Sequence, residues 1–473
     1  MRHTIIIGGG ITGLAAAYSL QKTSKGTFAV TLIEGTQRLG GKITTARSGG
    51  FLVEGGPDSF LARKTVTLEL CRELGLEDQL QPARAGKYPT FVWSGGRLHP
   101  LPMGVKPMVD SRLISLGGKL RLAAEVLVPP REMEGDESVA SFMRRRFGSE
   151  MLEKLAGPLM GGIYAADPER LSLDSTFPFL QVMEKKYGSV LRGWKKARGG
   201  SQGKGKAQGG RSMFLTLRGG LLQLAEALET AIGPGVVERG VQVAAVLPKQ
   251  GRYEVVLEDG RSLTADDVVF ATPAHVTAGL VEYIDTALAE RLRSIRYVTT
   301  ATVSLGFREQ DVPRALDGFG FVVPRMEQRR INACTWTSTK FEGRAPDGHV
   351  LMRVFVGGAG AEAYAERTDD ALIALARQEV DAAMNVGAEP VLAQVYRWPK
   401  GNPQYEVGHR GRVEEIEALA ATHRGLYLAG AAYHGAGIPD CIENAQAVVR
   451  QLVGKYGISQ PAATGRAVTA AAR

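Results

Sequence analysis

The chain has 473 residues, enough for two or three domains and a large core. Hydrophobic residues make up 44% and charged residues 23%, an ordinary globular balance, and no apolar run reaches the length of a membrane span. Cys71, Cys334 and Cys441 lie far apart and form no C-x-x-C, which argues against a disulfide framework, a metal site or an iron–sulfur cluster and for a reducing compartment.

In chain order, Met1-Arg2-His3 leads straight into Thr4-Ile5-Ile6-Ile7, so no signal peptide is expected, and the β-branched run suits a strand buried on both faces. Gly8-Gly9-Gly10-Ile11-Thr12-Gly13 fits G-x-G-x-x-G. Gly8 serves the tight turn, Gly10 a close approach to a pyrophosphate, and Gly13 close packing of the helix that continues through Leu14 to Leu20. The diphosphate belongs on that helix N-terminus. A second apolar run, Val30-Thr31-Leu32-Ile33, ends at Glu34, where a carboxylate accepts from an adenosine ribose; this favours FAD or NAD over NADP. Arg38 and the pair Gly40-Gly41, followed by Lys42, continue an E-x-x-x-R-x-G-G pattern that resembles flavoprotein oxidases and desaturases and selects FAD.

Gly55-Gly56-Pro57-Asp58-Ser59-Phe60 allows backbone to pass close to a flat ring, and Thr65 to Leu74 reads as a helix. From Pro89 to Leu180 the strand pattern fades into amphipathic helices such as Leu116–Val128 and Ser138–Phe147, so this part reads as an inserted helical unit. Arg144, Arg145 and Arg146 there are expected to form a solvated face rather than a membrane-docking patch. The net charge of +9 is concentrated in Arg192, Lys195, Lys196, Arg198, Lys204, Lys206 and Arg211, a glycine-rich stretch without acids. It lacks the repeated stacking platforms of a nucleic-acid surface and is expected to be a flexible, solvated loop. Phe214 to Ile232, short strands from Val241 to Thr264 and a buried strand from Asp267 return to the dinucleotide unit. Thr300 to Leu305 alternates polar and apolar residues, as in a sheet that covers a core with one face and floors a cavity with the other. Phe319–Val323, Asn332–Thr337 and Val350–Val356 extend that sheet, and Asp369–Met384 is a helix.

Gly55 to Phe60, Gly162-Ile163-Tyr164-Ala165-Ala166-Asp167-Pro168 with Leu171-Ser172, Asn402-Pro403-Gln404-Tyr405 with Gly408-His409, and Leu428-Ala429-Gly430 running to Gly437-Ile438-Pro439-Asp440-Cys441-Ile442 together resemble the FAD-dependent porphyrinogen oxidases, from Ile5 to about Tyr456. The resemblance implies an α/β molecule: a Rossmann-type FAD-binding domain built from discontinuous segments, a mixed-sheet α+β substrate domain and an inserted helical domain. The expected boundaries are 1–65, 211–280 and 395–457 for FAD; 66–88, 181–210 and 281–394 for substrate; 89–180 for the helical part; and a disordered tail at 458–473. It also implies FAD contacts at Gly8, Gly9, Gly10, Ile11, Thr12, Gly13, Glu34, Gly35, Gly41, Lys42, Gly56, Pro57 and Asp58. Val243 would meet the adenine through its backbone and Trp398 would lie at the flavin end. Gly430 leads the turn to Ile438, Pro439 and Asp440, which would lie by the ribityl–flavin junction.

The implied reaction is a six-electron aromatisation of a porphyrinogen in haem biosynthesis, with dioxygen as acceptor and hydrogen peroxide as product. It depends on approach and orientation more than on acid–base catalysis. No catalytic residue is expected. His275, His349, His409 and His434 are isolated, with His434 first to test because it lies in the flavin-proximal turn, and Cys441 reads as a buried filler. Ala431-Ala432-Tyr433-His434-Gly435 lacks the cysteine of covalent flavin amine oxidases, so FAD is expected to be non-covalent. A flavin amine oxidase and a non-enzymatic FAD-dependent porphyrin carrier are the rival readings. Arg63, Lys64 and Lys87, near the expected flavin face, favour the tetracarboxylate coproporphyrinogen III over protoporphyrinogen IX as substrate; the alternative for Arg63 and Lys64 is that they merely begin a helix with their heads in solvent. The resemblance further implies a cytoplasmic enzyme with at most peripheral contact with the inner membrane face, and transient contact with a ferrochelatase.

Overall fold

The strand Arg2–Ile7 is the centre of a five-stranded parallel sheet in the computed structural model, which describes residues 1–24, 26–84, 88–132, 135–200 and 212–457. Phe28–Glu34 and Val237–Arg239 lie to one side of it, Asp267–Phe270 and Leu426–Leu428 to the other. Ile6 packs against the helices Ile11–Ser24, Leu222–Ile232 and Ile438–Gly454 through Leu14, Leu20, Leu224 and Ile442. Ile5 and Ile7 face the opposite layer, an antiparallel unit of Val243–Lys249, Arg252–Leu257 and Ser262–Ala265 with the helices Ala274–Val281, Thr286–Arg293 and His409–Thr422. Both faces of the strand are thus buried, as a parallel core strand requires. Three widely separated stretches of chain supply the sheet.

A seven-stranded mixed sheet forms the second layer system. Its long strand Tyr297–Arg308 lies between Leu392–Pro403 and His349–Gly357, and the sheet continues through Ala333–Trp336 and Gly320–Val322 to the hairpin Thr90–Ser94 and Arg97–Pro100. Ala301, Val303, Leu305 and Phe307 pack under Leu372, Leu375 and Val380 of the helix Asp369–Met384. The polar face turns toward the Phe51–Gly56 strip: Gly306 allows the Phe51 ring to approach, since an added Cβ would lie 2.8 Å from it.

Several expected boundaries shift. The hairpin 90–100 belongs to this sheet rather than to a helical unit, with Phe91 and Trp93 in its core; flanking prolines and short strands hid it. Leu392–Pro403 pairs with Tyr297–Arg308, so the return to the flavin unit comes after Pro403, not at 395; as an edge strand of mixed exposure it carries no apolar period. Val66–Glu73 packs on the flavin-unit core through Leu70 and Cys71. Pro178–Tyr187 and Val190–Gly200 join the helical layer through Leu180, Met183 and Val190. The stretch from Arg192 to Gly200, expected as loop, is helical. Residues 201–211 and the tail 458–473 lie outside the described residues. Among the described residues no helix is long and apolar enough to cross a membrane.

The expected solvated face at Arg144, Arg145 and Arg146 is also corrected. Helical spacing puts Arg146 on the stripe of Val139 and Phe142, and its side chain is fully buried. It donates from Nε to Glu125 Oε1 (2.8 Å), from Nη1 to Val128 O (2.8 Å) and from Nη2 to Gly188 O (3.0 Å). Glu125, equally buried, accepts the Val190 N–H at 2.9 Å and the Ser189 hydroxyl, so it also starts the helix at Val190. Arg145 bridges Glu137 and Glu184, and only Arg144, paired with Glu169, is at the surface. Replacing Arg146 by Met leaves a buried carboxylate without its cation and is expected to cost about 3–5 kcal/mol. Arg144→Ala is expected to cost at most about 1 kcal/mol. Urea unfolding of both variants checks this; equal losses would contradict the burial.

Candidate functional site

The glycines after the first strand do separate jobs. A Cβ on Gly13 would lie 1.9 Å from Gly8 O, so helix and strand touch there, and Gly8 itself has φ +110°. A Cβ on Gly10 would meet nothing nearer than Gly41 Cα at 4.0 Å. Gly10 therefore borders open space over the N-terminus of Ile11–Ser24, where Ile11 and Thr12 are buried. Gly40 N–H donates to Gly9 O at 2.9 Å, and Arg38 shapes the facing loop by donating to Ile43 O (2.9 Å) and Gly41 O (2.6 Å).

Glu34 is fixed at the end of its strand. Oε2 accepts the Gly9 N–H at 2.7 Å, and Oε1 accepts the Thr36 N–H (2.9 Å) and hydroxyl (2.8 Å). Gly35 lies against Gln242, and Gly240 N–H donates to Thr36 O at 3.1 Å, which brings the strand beginning at Val243 to the Glu34 end. Lys42 is half-buried and burial pushes its ammonium down; its carbonyl is so close to Gly56 that a Cβ there would sit 1.7 Å away. A held carboxylate, two facing glycine loops and a free helix N-terminus fit an FAD.

The strip Glu54–Ser59 is clamped from the seven-stranded sheet. Gly55 O accepts from Arg353 Nη2 (3.0 Å), Trp398 Nε1 (2.9 Å) and Thr302 Oγ1 (3.2 Å), and Arg353 also donates to Gly56 O at 2.5 Å. Beyond Pro57, Asp58 accepts Lys340 Nζ at 2.9 Å on both oxygens. Burial pushes this carboxyl up, but Lys340 and Arg353 outweigh it and hold it at about 2. Sequence reasoning placed Thr302 on the cavity face of its strand but missed Arg353 and Lys340. The one available signal was an arginine in the middle of the apolar run Val350 to Val356.

At the C-terminal turn, Gly430 has φ +136° and its N–H donates to Asn444 Oδ1 at 2.8 Å. Ile438 and Pro439 are buried at the start of the last helix, and Asp440 accepts the Gly437 N–H at 3.2 Å. Asp440 also pairs with Lys64. Lys64 thus precedes the helix Val66–Glu73 without its head free in solvent, whereas Arg63 is exposed; Lys87 lies outside the described residues. Tyr164 comes from the helical layer. Burial and then the Asp440 carboxylate push its phenol up, while Arg63 opposes them, so the four groups share one region. Tyr405 donates to Ala431 O at 2.5 Å and is pushed far up by burial, then by Cys441 and Asp440.

The histidines around this region have partners of their own. His434 Nε2 lies 2.6 Å from Glu417 on a half-exposed pair. His409 is buried, stacked 4.5 Å from Tyr405 and lowered to about 4 by burial. His275 meets the Tyr297 ring edge-on, and His349 lies 3.0 Å from Asp347 O. Burial pushes the Cys441 thiol up to about 11, as suits an inert filler. Among the described residues no group of His, Cys, Asp or Glu is arranged to hold a metal ion.

Residues 11–453 match the family model of flavin containing amine oxidoreductases. The chain is 38% identical to the coproporphyrinogen III oxidase of Bacillus subtilis (95% of this chain, 97% of the relative) and 35% identical to that of Staphylococcus aureus (96% and 99%). It is 32% identical to the protoporphyrinogen oxidase of Bos taurus (96% and 98%). Among solved structures, one from Exiguobacterium, provisionally assigned as a protoporphyrinogen oxidase, superposes with a TM-score of 0.85 at 31% identity, covering 96% of this chain and 99% of that one.

Gly10→Val is expected to fold, because a Cβ there has open space around it, and to lose FAD. Gly13→Val is expected to lose the fold as well. Circular dichroism with flavin absorbance separates the two; a flavin-saturated Gly10→Val protein would contradict the cradle. Asp58 titrates lower folded than unfolded, so its contribution of about 2 kcal/mol is complete above about pH 4 and is lost as pH falls toward about 2. Asp58→Asn is expected to remove that contribution at neutral pH and to flatten the stability profile across this window, as read by denaturant titration at several pH values.

Proposed function

We propose a reaction for this chain, which belongs to the flavin containing amine oxidoreductase family and, within it, to the FAD-dependent porphyrinogen oxidases: coproporphyrinogen III is oxidised to coproporphyrin III in haem biosynthesis, with dioxygen as acceptor and hydrogen peroxide as product. The near full-length likeness to bacterial coproporphyrinogen III oxidases carries the substrate assignment. Bound FAD supplies two-electron acceptance, so one macrocycle needs three rounds and three dioxygen molecules.

The chain's own residues hold and orient. Gly10, Gly41 and Glu34 receive the dinucleotide. The clamped strip from Gly55 to Asp58 and the turn from Gly430 to Asp440 border the ring system. Arg63 and Lys64 receive substrate carboxylates, each contact worth about 1.5–3 kcal/mol in a partly dry site. Tyr164 and Tyr405 stay protonated at neutral pH and serve as walls and donors, not bases. The pyrrole N–H protons pass to water.

The enzyme works in the cytoplasm. Exposed Val105, Val109, Leu116 and Leu120 beside Lys106 and Lys119 support peripheral contact with an anionic membrane face, and product hand-over fits a transient contact with a ferrochelatase.

Side-by-side kcat/KM on the two porphyrinogens is expected to favour coproporphyrinogen III at least tenfold, and Arg63→Ala to narrow the ratio. Equal use of protoporphyrinogen IX would overturn the substrate. Anaerobic mixing with coproporphyrinogen III is expected to bleach the flavin; an unbleached flavin would turn the assignment toward a carrier.

A further inference from the structure

We propose that Asp440 is an internal stand-in for a substrate carboxylate: it pairs with Lys64 and gives that cation up when a propionate arrives. This deepens the function proposed above and rests on its reading of the substrate as a polycarboxylate macrocycle.

The two cationic contacts near the flavin strip are built differently. Lys340 holds Asp58 with both side chains about one-seventh exposed, touches both carboxylate oxygens and Ser59 Oγ, and has Arg353 alongside. Nothing about it is made to open. Lys64 touches a single oxygen of Asp440, and the side chains are 36% and 20% exposed. Water and an incoming anion can therefore reach the second pair and not the first.

Asp440 is also provided for after release. It stands in the first turn of the helix Ile438–Gly454, and its other oxygen accepts the Gly437 N–H. A carboxylate there is stabilised by the helix N-terminus whether or not Lys64 is present. Gly435, with φ +138°, passes so close that a Cβ would lie 2.5 Å from the Asp440 carboxyl carbon, which backs the carboxylate on the side of that turn. Lys64 for its part exchanges one carboxylate for another and never stands uncompensated.

The surroundings suit a ligand with several carboxylates. Arg63, next in the chain, makes no ion pair among the described residues. Tyr164 feels both Arg63 and Asp440, so the exchange site lies where the helical layer meets the flavin unit. A macrocycle bringing one carboxylate to Arg63 and another to Lys64 displaces Asp440. A ligand without carboxylates leaves the pair closed and gains nothing from either cation. Asp440 is thus a specificity-determining residue that acts by competition.

The test uses the FAD-loaded protein and two redox-inert probes, coproporphyrin III and its tetramethyl ester, with binding read by porphyrin fluorescence and FAD occupancy by absorbance. Asp440→Asn is expected to tighten the free acid about two- to fivefold, the scale of an exposed ion pair, and to leave the ester unchanged. Lys64→Met is expected to weaken the acid alone, and Asp440→Asn in that background to have no further effect. Asp440→Ser, which keeps a capping oxygen without the charge, repeats the measurement if the Asn variant loses FAD. An Asp440 variant that binds the acid no more tightly with FAD retained, or tightens acid and ester alike, overturns the exchange. If the parent protein binds neither probe, the substrate reading itself has failed.

Discussion

Gly55 O ties the molecule together. It belongs to the flavin unit, yet its three donors, Arg353, Trp398 and Thr302, all come from the seven-stranded sheet. A charge-assisted bond in a dry joint is worth more than its neutral counterpart, and losing Arg353 would leave the carbonyls of Gly55 and Gly56 short of a donor. Beside it, buried Glu54 accepts the Leu221 N–H at 2.8 Å and the Thr45 hydroxyl at 2.7 Å, and the strip is held at its other end by Lys340, which donates to both oxygens of Asp58 at 2.9 Å. With both ends fixed, the strip has a set position. A hydride acceptor and a bulky macrocycle need that more than they need a base.

Large parts of this arrangement were legible because local geometry demands particular residue types. Gly8, Gly10 and Gly13 answer to a turn, an open approach and a helix contact that no other residue satisfies. Glu34 answers to the end of a strand. The contributors that escaped notice answer to partners distant in sequence. Arg353 looks like an intruder in an apolar strand until Gly55 is placed beside it. Arg146 looks like one of three surface cations until the Val139–Phe142 stripe is extended by one turn, which the sequence alone permitted. Lys340 gives no local sign of its contact with Asp58. Lys64 is not the solvated helix start that was the alternative for it, since it pairs with Asp440, a partner far away in the sequence.

The buried arginines share a logic. Arg146 joins Glu125, Val128 and Gly188; Arg344 joins Glu54 to Thr216 and Leu217; Arg353 joins the sheet to the strip. Each meets at least one backbone carbonyl of a segment distant from it in the chain. A guanidinium carries five donors in a plane and is weakly hydrated, so one side chain can satisfy several carbonyls at a joint where an ammonium would leave some unpaired. Part of the chain's basic excess is therefore structural and is unavailable to ligands.

That separation bears on how the site can select an anionic substrate. Cations committed to carbonyls in a dry joint contribute field but cannot make new contacts. The groups able to change partners are those at the rim: Arg63, exposed, and Lys64, held by a carboxylate that has another stabilising neighbour. On the proposed reading, selection falls to these two residues adjacent in sequence, while the rigid cations behind them keep the Gly55–Asp58 strip in place. On that proposal, recognition and electron transfer are set by different residues. Changing the rim then alters which macrocycle binds without moving the surface on which it reacts.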